Sequence, residues 1–537
     1  MAGRRISFRT AVNMMMENMS SSSDEQSSDA GNNDSETEAN EEPFYEIQSD
    51  IFGEHSDDGE LFVENENSSN ESFSSSEDET IENGQARTDY ISPNGFSWTP
   101  NRPTPHRLQR NITDFIPGPT VTHETEIQCF ESFVSEVILR TILRHTNSRV
   151  RALGKKPFTF TERACISVII RAGADRDNLS SVESLYRPND SRPIYRCTIG
   201  KNRLRLFLRH VTFDNKNTRR ERQKTDKLAA VREMWDLFQM NLRRNYVPSE
   251  SLTIDEQLYP FRGYVPGRSY MPSKPAKYGT KVFWICDAKN GYALESIPYS
   301  GKVNNIREVG LAEKLVLQLS ERYSNSWRNV FMERYFSSHE VAKKLLEKGL
   351  TMTGTIKQNR REIPPCMRNV KERQLLSTKE VWDAEKRIML ISFVPKRNKN
   401  VLMISSMHSH PGIREDRKPE VIEDYNHGKG GVDVLDSRIE DFTCKRMTRK
   451  YPLIFFFLML DVALVNSFRS IVMRESRENY SLDRKAFIKK LPTPWPLKTS
   501  IHDTTIRMFS VSYEMLFNRL VWTKIPQWDQ LEMAKKQ

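Results

Sequence analysis

From Glu126 onward the apolar residues Phe130, Phe133, Val134, Val137, Ile138 and Ile142 recur at intervals of three and four, the spacing that aligns side chains along one face of a helix. A second stripe of the same period, Leu228, Val231, Met234, Trp235, Phe238 and Leu242, predicts a helix from Asp226 to about Tyr246. At Leu252 the pattern changes from helical to alternating. Strands are predicted over residues 252–256, 281–286 and 292–299, the last two joined across an Asn-Gly turn signal at Asn290 and Gly291. A helix from Glu308 to about Glu321 carries Leu311, Leu315 and Leu319 every fourth residue; a strand over 329–335, a helix over 338–348 and a strand over 351–357 follow.

Three strands, helix, strand, helix, strand is the order of a ribonuclease-H-like α/β core. Such a core ends in one more helix, and residues 431–442 supply it after about sixty intervening residues. Those residues, 360–424, contain β-like stretches at 388–393 and 401–406 and predict an inserted subdomain. The longest apolar run, Leu453 to Leu460, is interrupted by Asp461 before it is long enough to span a bilayer, so it predicts a buried helix and no membrane partner. Residues 87–116, rich in Pro and Asn, read as a linker into the folded region, and the resulting layout is a disordered acidic N-terminal region and linker over 1–103, a helical domain in two parts over 104–250 and 443–537, a catalytic core over 251–359 completed by 425–442, and the insertion over 360–424.

Charge is divided unevenly along this layout. Residues 1–86 hold three arginines against 22 acidic residues, a net charge of −19. With so little apolar surface to offset ordering entropy, this segment is expected to be disordered. The whole chain carries +10, so residues 87–537 carry +29, and a polyanionic partner follows, with nucleic acid ahead of a membrane surface. Residues 201–227 concentrate ten Lys and Arg against three acids, among them Arg219, Arg220 and Arg222. They are candidates for phosphate contact, the alternatives being a nuclear-import patch or a solvated face. Six widely spaced cysteines form no C-x-x-C pair, which argues against a disulfide framework or zinc ribbon and for a reducing compartment. His408 and His410 form a His-x-His pair with no third ligand nearby in sequence.

Acids stand at the ends of the first and fourth strands and at the start of the final helix: Asp255 in Leu252-Thr253-Ile254-Asp255-Glu256-Gln257, Glu333 in Asn329-Val330-Phe331-Met332-Glu333, and Asp433 and Asp436 in Gly430-Gly431-Val432-Asp433-Val434-Leu435-Asp436. Asp433 and Asp436 are three apart and so share a helix face. Carboxylates gathered from distant segments are what a two-metal phosphoryl-transfer site requires.

These motifs, with Pro272-Ser273-Lys274-Pro275-Ala276-Lys277-Tyr278-Gly279, Tyr425-Asn426-His427-Gly428-Lys429-Gly430-Gly431-Val432-Asp433 and Arg449-Lys450-Tyr451-Pro452, closely resemble the piggyBac transposase family over roughly residues 113–522. The resemblance implies a ribonuclease-H-like cut-and-paste DNA transposase, with an inserted subdomain and a split helical DNA-binding and dimerisation domain, acting at TTAA sites with Mg2+. It matches Asp255 to the first catalytic Asp, Asp433 to the third and Asp436 to an auxiliary acid, all four acids being candidate catalytic and metal-binding residues. Glu333 stands where the family has its second Asp. Lys274, Lys277, Lys445, Arg446, Arg449 and Lys450 join Arg219, Arg220 and Arg222 as candidate DNA contacts. The family's Cys-rich zinc-binding terminal module has no counterpart, since residues 445–537 contain no cysteine, so no zinc is expected. The implied setting is the nucleus, the partner double-stranded DNA, and the assembly a homodimer joined through the flanking helices, whose apolar faces at 130–142 and 228–242 suit either that role or packing within one chain.

Overall fold

The computed structural model describes residues 89–103, 116–272, 274–301, 309–474 and 483–491. The acidic region through residue 88, linker residues 104–115, Ser273, Glu308 and the chain beyond residue 491 lie outside the described residues.

Five strands form the centre of an 11-stranded sheet: Ala293–Pro298, Tyr278–Asp287, Ser251–Pro260, Asn329–Met332 and Thr351–Thr355, in that spatial order. The first three are mutually antiparallel; Ser251–Pro260, Asn329–Met332 and Thr351–Thr355 run parallel. Parallel neighbours require crossover helices, and Leu311–Ser320 and His339–Glu347 supply them. The result is the expected ribonuclease-H-like arrangement.

The insertion departs from the expected separate subdomain. Its strands Thr378–Asp383, Met389–Lys396 and Lys399–Ser405 continue the same sheet outward from Thr351–Thr355 as an antiparallel meander. The linker expected over 87–116 is also corrected in part: Ser97–Thr99 pairs with Thr378–Asp383, and Tyr90–Ile91 pairs with Ser97–Thr99. Trp98 holds this edge. It is fully buried, and its indole Nε1 donates to the Glu362 carbonyl at 2.7 Å. A three-residue strand in a Pro- and Asn-rich context is too short to show an alternating period.

The first predicted helix is two helices, Glu126–Phe133 and Glu136–Ala152. Asn241, from helix Ala229–Arg244, donates its amide to the Phe133 carbonyl at 2.8 Å and to Ser135 Oγ at 3.2 Å, holding the break open. The break resets the helical phase, so Val137 is 59% exposed while Val134, Ile138 and Ile142 are buried. Both stripes proposed for dimerisation are otherwise spent within this chain: Leu228, Val231, Met234, Trp235, Phe238 and Leu242 all lie in the core.

Helix Tyr451–Arg474 is apolar and long enough to cross a bilayer, yet it is buried in the core. Two of its buried polar residues tie it to the sheet. Asn466 donates to the Ala293 carbonyl at 2.9 Å and accepts from the Ala293 N–H at 3.0 Å. Asp461 accepts from Tyr259 Oη at 2.7 Å and from Thr443 Oγ1 and the Cys444 N–H at 2.6 Å each. Losing a partner for a buried polar group costs about 1–3 kcal/mol, so these bonds specify how the helix sits.

Burial lifts the Asp461 carboxyl to about 6, against the pull of its hydrogen bonds. Because the folded value lies above the unfolded one, the stability tied to the neutral form is complete below pH ~4 and lost as pH rises through about 6. Asp461→Asn removes this titration. The variant is expected to gain about 3 kcal/mol on the wild type between pH 4 and pH 7.5, from ~1.4 kcal/mol per pKa unit; a stability difference that stays flat with pH in denaturant melts would refute it. Trp98→Ala is expected to destabilise the fold by about 3–5 kcal/mol, whereas removing residues 1–86 should leave the denaturation midpoint unchanged. Equal midpoints for wild type and Trp98→Ala would show that the edge strands contribute nothing.

Candidate active site

Strand Ser251–Pro260 presents Thr253, Asp255 and Gln257 on one face, two residues apart. The neighbouring strand sets Leu252 opposite Val330 and Ile254 opposite Met332, so the next position on each strand carries Asp255 and Glu333. Glu333 begins the turn into helix His339–Glu347. Its carbonyl accepts from the Phe336 and Ser337 N–H groups at 3.0 and 3.2 Å and from Ser337 Oγ at 3.1 Å. Ser338 then caps the helix by accepting from the Val341 N–H at 3.1 Å. The backbone bearing Glu333 is thereby held while its side chain faces solvent.

Two contacts that bracket Asp255 seat the end of helix Glu420–Gly428 and the final helix, Gly431–Asp441, on this strand face. Thr253 Oγ1 donates to the Gly428 carbonyl at 2.6 Å, and Gln257 Nε2 donates to Asp436 Oδ1 at 2.7 Å. Gln257 is itself oriented by Trp284, whose Nε1 donates to Gln257 Oε1 at 2.9 Å in the buried interior. The approach is so close at Gly428 that a Cβ there would lie 2.2 Å from the Phe331 ring, which accounts for a glycine at that point of the motif. Asp433 lies one turn ahead of Asp436 and is exposed.

The four acids expected from sequence come from three segments; the charges of Glu333 and Asp433 act on Asp255, and that of Asp433 acts on Asp436. Asp255 is buried, and its Oδ1 accepts from the Glu256 N–H at 2.8 Å. Burial, then the charges of Glu256, Glu333 and Asp433, raise its carboxyl well above the usual range. Burial also raises Asp436, against the Gln257 hydrogen bond and the charge of Lys274, with Asp433 adding to the rise. Mutual repulsion among oxygen donors around a half-enclosed site fits a hard divalent cation, whose charge would relieve it. Asp255, Glu333, Asp433 and Asp436 are the side chains available to hold one. Among the described residues, no three His, Cys, Asp or Glu side chains already stand close enough to form a metal cluster.

Three participants were not singled out from the sequence. Gln257 and Trp284 position Asp436. Tyr425, the first residue of the glycine-rich motif, has its hydroxyl raised to about 12 by burial and by the charges of Glu333, Asp255 and Asp433. It lies 3.5 Å from Thr355 Oγ1. Its place in the quoted motif was a usable signal.

The candidate DNA contacts divide. Arg219 and Arg222 are engaged by the buried Asp214, at 2.5 and 2.6 Å, and Arg446 is buried and donates to the Ser180 carbonyl. Arg446 is thereby turned into the protein, whereas Arg219 and Arg222 remain partly exposed at their ion pairs. Lys445 Nζ donates to the Pro260 carbonyl at 3.1 Å. Lys450 Nζ donates to the Arg209 carbonyl. Arg220, Lys277, Arg449 and Lys450 are exposed, and Lys274 is half-buried. His408 is engaged at both ring nitrogens, by Ser405 Oγ at 2.9 Å and Asp424 Oδ2 at 2.8 Å, so it braces the insertion's last strand rather than offering itself to zinc.

Comparison with known proteins agrees with this geometry. The sequence model of the family described as Transposase IS4 matches residues 125–468. The human PiggyBac transposable element-derived protein 3 is 27% identical over 259 residues, which cover 43% of this chain and 42% of that protein. The human PiggyBac transposable element-derived protein 2 is 22% identical over 402 residues, 71% of this chain and 65% of that protein. The chain thus spans less than two thirds of the length of either relative. Among solved structures, the piggyBac transposase synaptic complex with hairpin DNA superposes with a TM-score of 0.67 and 29% identity, over 78% of this chain and 87% of that one. Fold, carboxylate placement and sequence together make this chain a member of the piggyBac transposase family.

Proposed function

We propose that the protein is a nuclear, transposase-derived DNA-binding protein, working as a homodimer on double-stranded DNA, with cut-and-paste transposition at TTAA as its ancestral chemistry. The observation that carries this reading is that the charges of Glu333 and Asp433 act on the buried Asp255, and that of Asp433 on Asp436, in a strongly basic protein. Acids with no chemistry to perform would be a liability on a surface meant for phosphate. Mg2+ bound by these acids would supply charge neutralisation at the phosphate undergoing transfer. The chain's own contribution is placement: the Thr253 and Gln257 hydrogen bonds hold the acidic helix face to the strand, and the exposed cations Lys277 and Arg449 attract the backbone.

A second reading is a fully active transposase. It is favoured by Glu333, which stands in register beside Asp255 on an exposed turn where a longer side chain has room to swing inward. Against it stands the extra methylene, which moves the carboxylate by on the order of an Å when catalytic geometry tolerates little displacement.

The deciding measurement is Mg2+-dependent cleavage and strand transfer on duplexes with and without TTAA. If the site is a weakened catalyst, Glu333→Asp is expected to raise the rate at least tenfold, and Asp255→Asn or Asp433→Asn to abolish it. A wild type that already cleaves well and is impaired by Glu333→Asp would establish the active-transposase reading. DNA affinity itself is expected to fall steeply with salt, by roughly tenfold or more from 50 to 200 mM for several phosphate contacts; salt-independent binding in fluorescence anisotropy would refute the basic-surface account.

A further inference from the structure

Between the first two strands of the core lies a hairpin that the carboxylate chemistry does not use. Strand Arg268–Tyr270 folds back on Tyr278–Asp287, pairing Arg268 with Thr280, Ser269 with Gly279 and Tyr270 with Tyr278. Main-chain bonds close it: Phe261 N–H to the Tyr278 carbonyl at 3.0 Å, and Met271 N–H to the Lys277 carbonyl at 2.9 Å. Residues 261–281 hold five Lys and Arg and no acid.

The hairpin has two distinct sides. Phe261, Val265 and Met271 are buried and anchor it to the body of the protein. At Gly267, with φ +74°, the backbone passes so close to Tyr299 and Gly301 that any Cβ would clash at 2.5 Å, which fixes the base of the turn. The other side carries Tyr264, 70% exposed, and Tyr270 and Tyr278, each 44% exposed. The rings of Tyr270 and Tyr278 lie 4.8 Å apart, and the Arg268 guanidinium stands 5.8 Å from the Tyr278 ring. Phe261, Val265 and Met271 already anchor the hairpin, and the three large aromatic rings lie in solvent on a segment, residues 261–281, that carries no acid.

Exposed aromatic faces interleaved with Arg and Lys are the chemistry that binds unpaired nucleotides: bases stack on the rings and the cations follow the phosphates. A duplex offers such rings no base face, because its bases are already stacked. The hairpin also adjoins the acids. Lys274, in the turn between Met271 and Lys277, exerts its charge on Asp436 and Glu440. We propose that the Tyr264, Tyr270 and Tyr278 face, with Arg268 and Lys277, is a stacking platform for unpaired DNA nucleotides beside the carboxylate site. The proposal rests on the DNA-binding reading above, and extends it from duplex backbone to the single-stranded segment that borders it.

The test compares a blunt duplex with the same duplex carrying a six-nucleotide single-stranded overhang, by fluorescence anisotropy on the full chain. The overhang is expected to bind about tenfold tighter, an effect on the scale of one well-stacked base. The triple variant Tyr264→Ala, Tyr270→Ala, Tyr278→Ala should reduce overhang affinity to the blunt level while changing blunt affinity less than twofold. Replacing the same three with Phe should keep the preference, because stacking needs the ring and not the hydroxyl. Wild-type protein that binds blunt and overhang DNA equally, or a preference that survives the triple alanine change, overturns the platform and leaves duplex binding standing. Binding to a free single strand that is lost in the alanine variant, with no blunt-duplex binding at all, supports the platform and overturns the duplex reading instead.

Discussion

The seating of helix Gly431–Asp441 on strand Ser251–Pro260 is the contact on which the site depends. It joins segments nearly 180 residues apart through a threonine and a glutamine, while Gly428, at the end of the preceding helix Glu420–Gly428, leaves room for the Phe331 ring of the neighbouring strand. Each part contributes differently. The threonine bond fixes the end of the preceding helix, three residues before the final helix starts, the Gln257–Asp436 bond fixes the final helix's rotation, and the indole of Trp284 holds the glutamine amide in the orientation that donates to a carboxylate. Rotating the helix by one residue would swing Asp433 away by about 100°, and the acids would cease to face one another.

The second organising element is the buried helix Tyr451–Arg474, which turns a sheet and a bundle into one core. A helix that is apolar all round packs in many orientations with little difference in energy. Asp461 and Asn466 remove that freedom, since each has partners in only one placement. A charge-bearing group inside the core is the cost of that specificity.

Much of this was legible in the sequence because strands and helices with strong periods occupy the centre. The Leu252 change of period, the leucines of the first crossover helix and the acids at strand ends placed the catalytic core before any coordinates. What escaped was decided by partners that periodicity does not register. The break at Val134 is made by an asparagine more than a hundred residues later, and the edge strand at Ser97–Thr99 exists because Trp98 finds the Glu362 carbonyl. Likewise, a count of arginines could not show that Arg219 and Arg222 close on the buried Asp214, or that Arg446 is held under Ser180. Charge composition shows that the protein is basic but not which cations remain available on its surface. Gln257 was read as part of a motif, but its role becomes evident only when Asp436 lies above it.

The side chain of Asn466 carries a consequence for how copies of this protein can associate. By bonding both the N–H and the carbonyl of Ala293, it occupies main-chain groups at the border of the sheet that an incoming strand would otherwise claim. At the opposite border the outermost strand, Tyr90–Ile91, is two residues long, too short to template a further one. Among the described residues, backbone pairing by a second chain is thus disfavoured at Ala293 and at Tyr90–Ile91. If two copies associate, these two points direct them to side-chain surfaces of the helices and loops, where recognition is governed by shape and charge rather than by the indiscriminate joining that open margins permit.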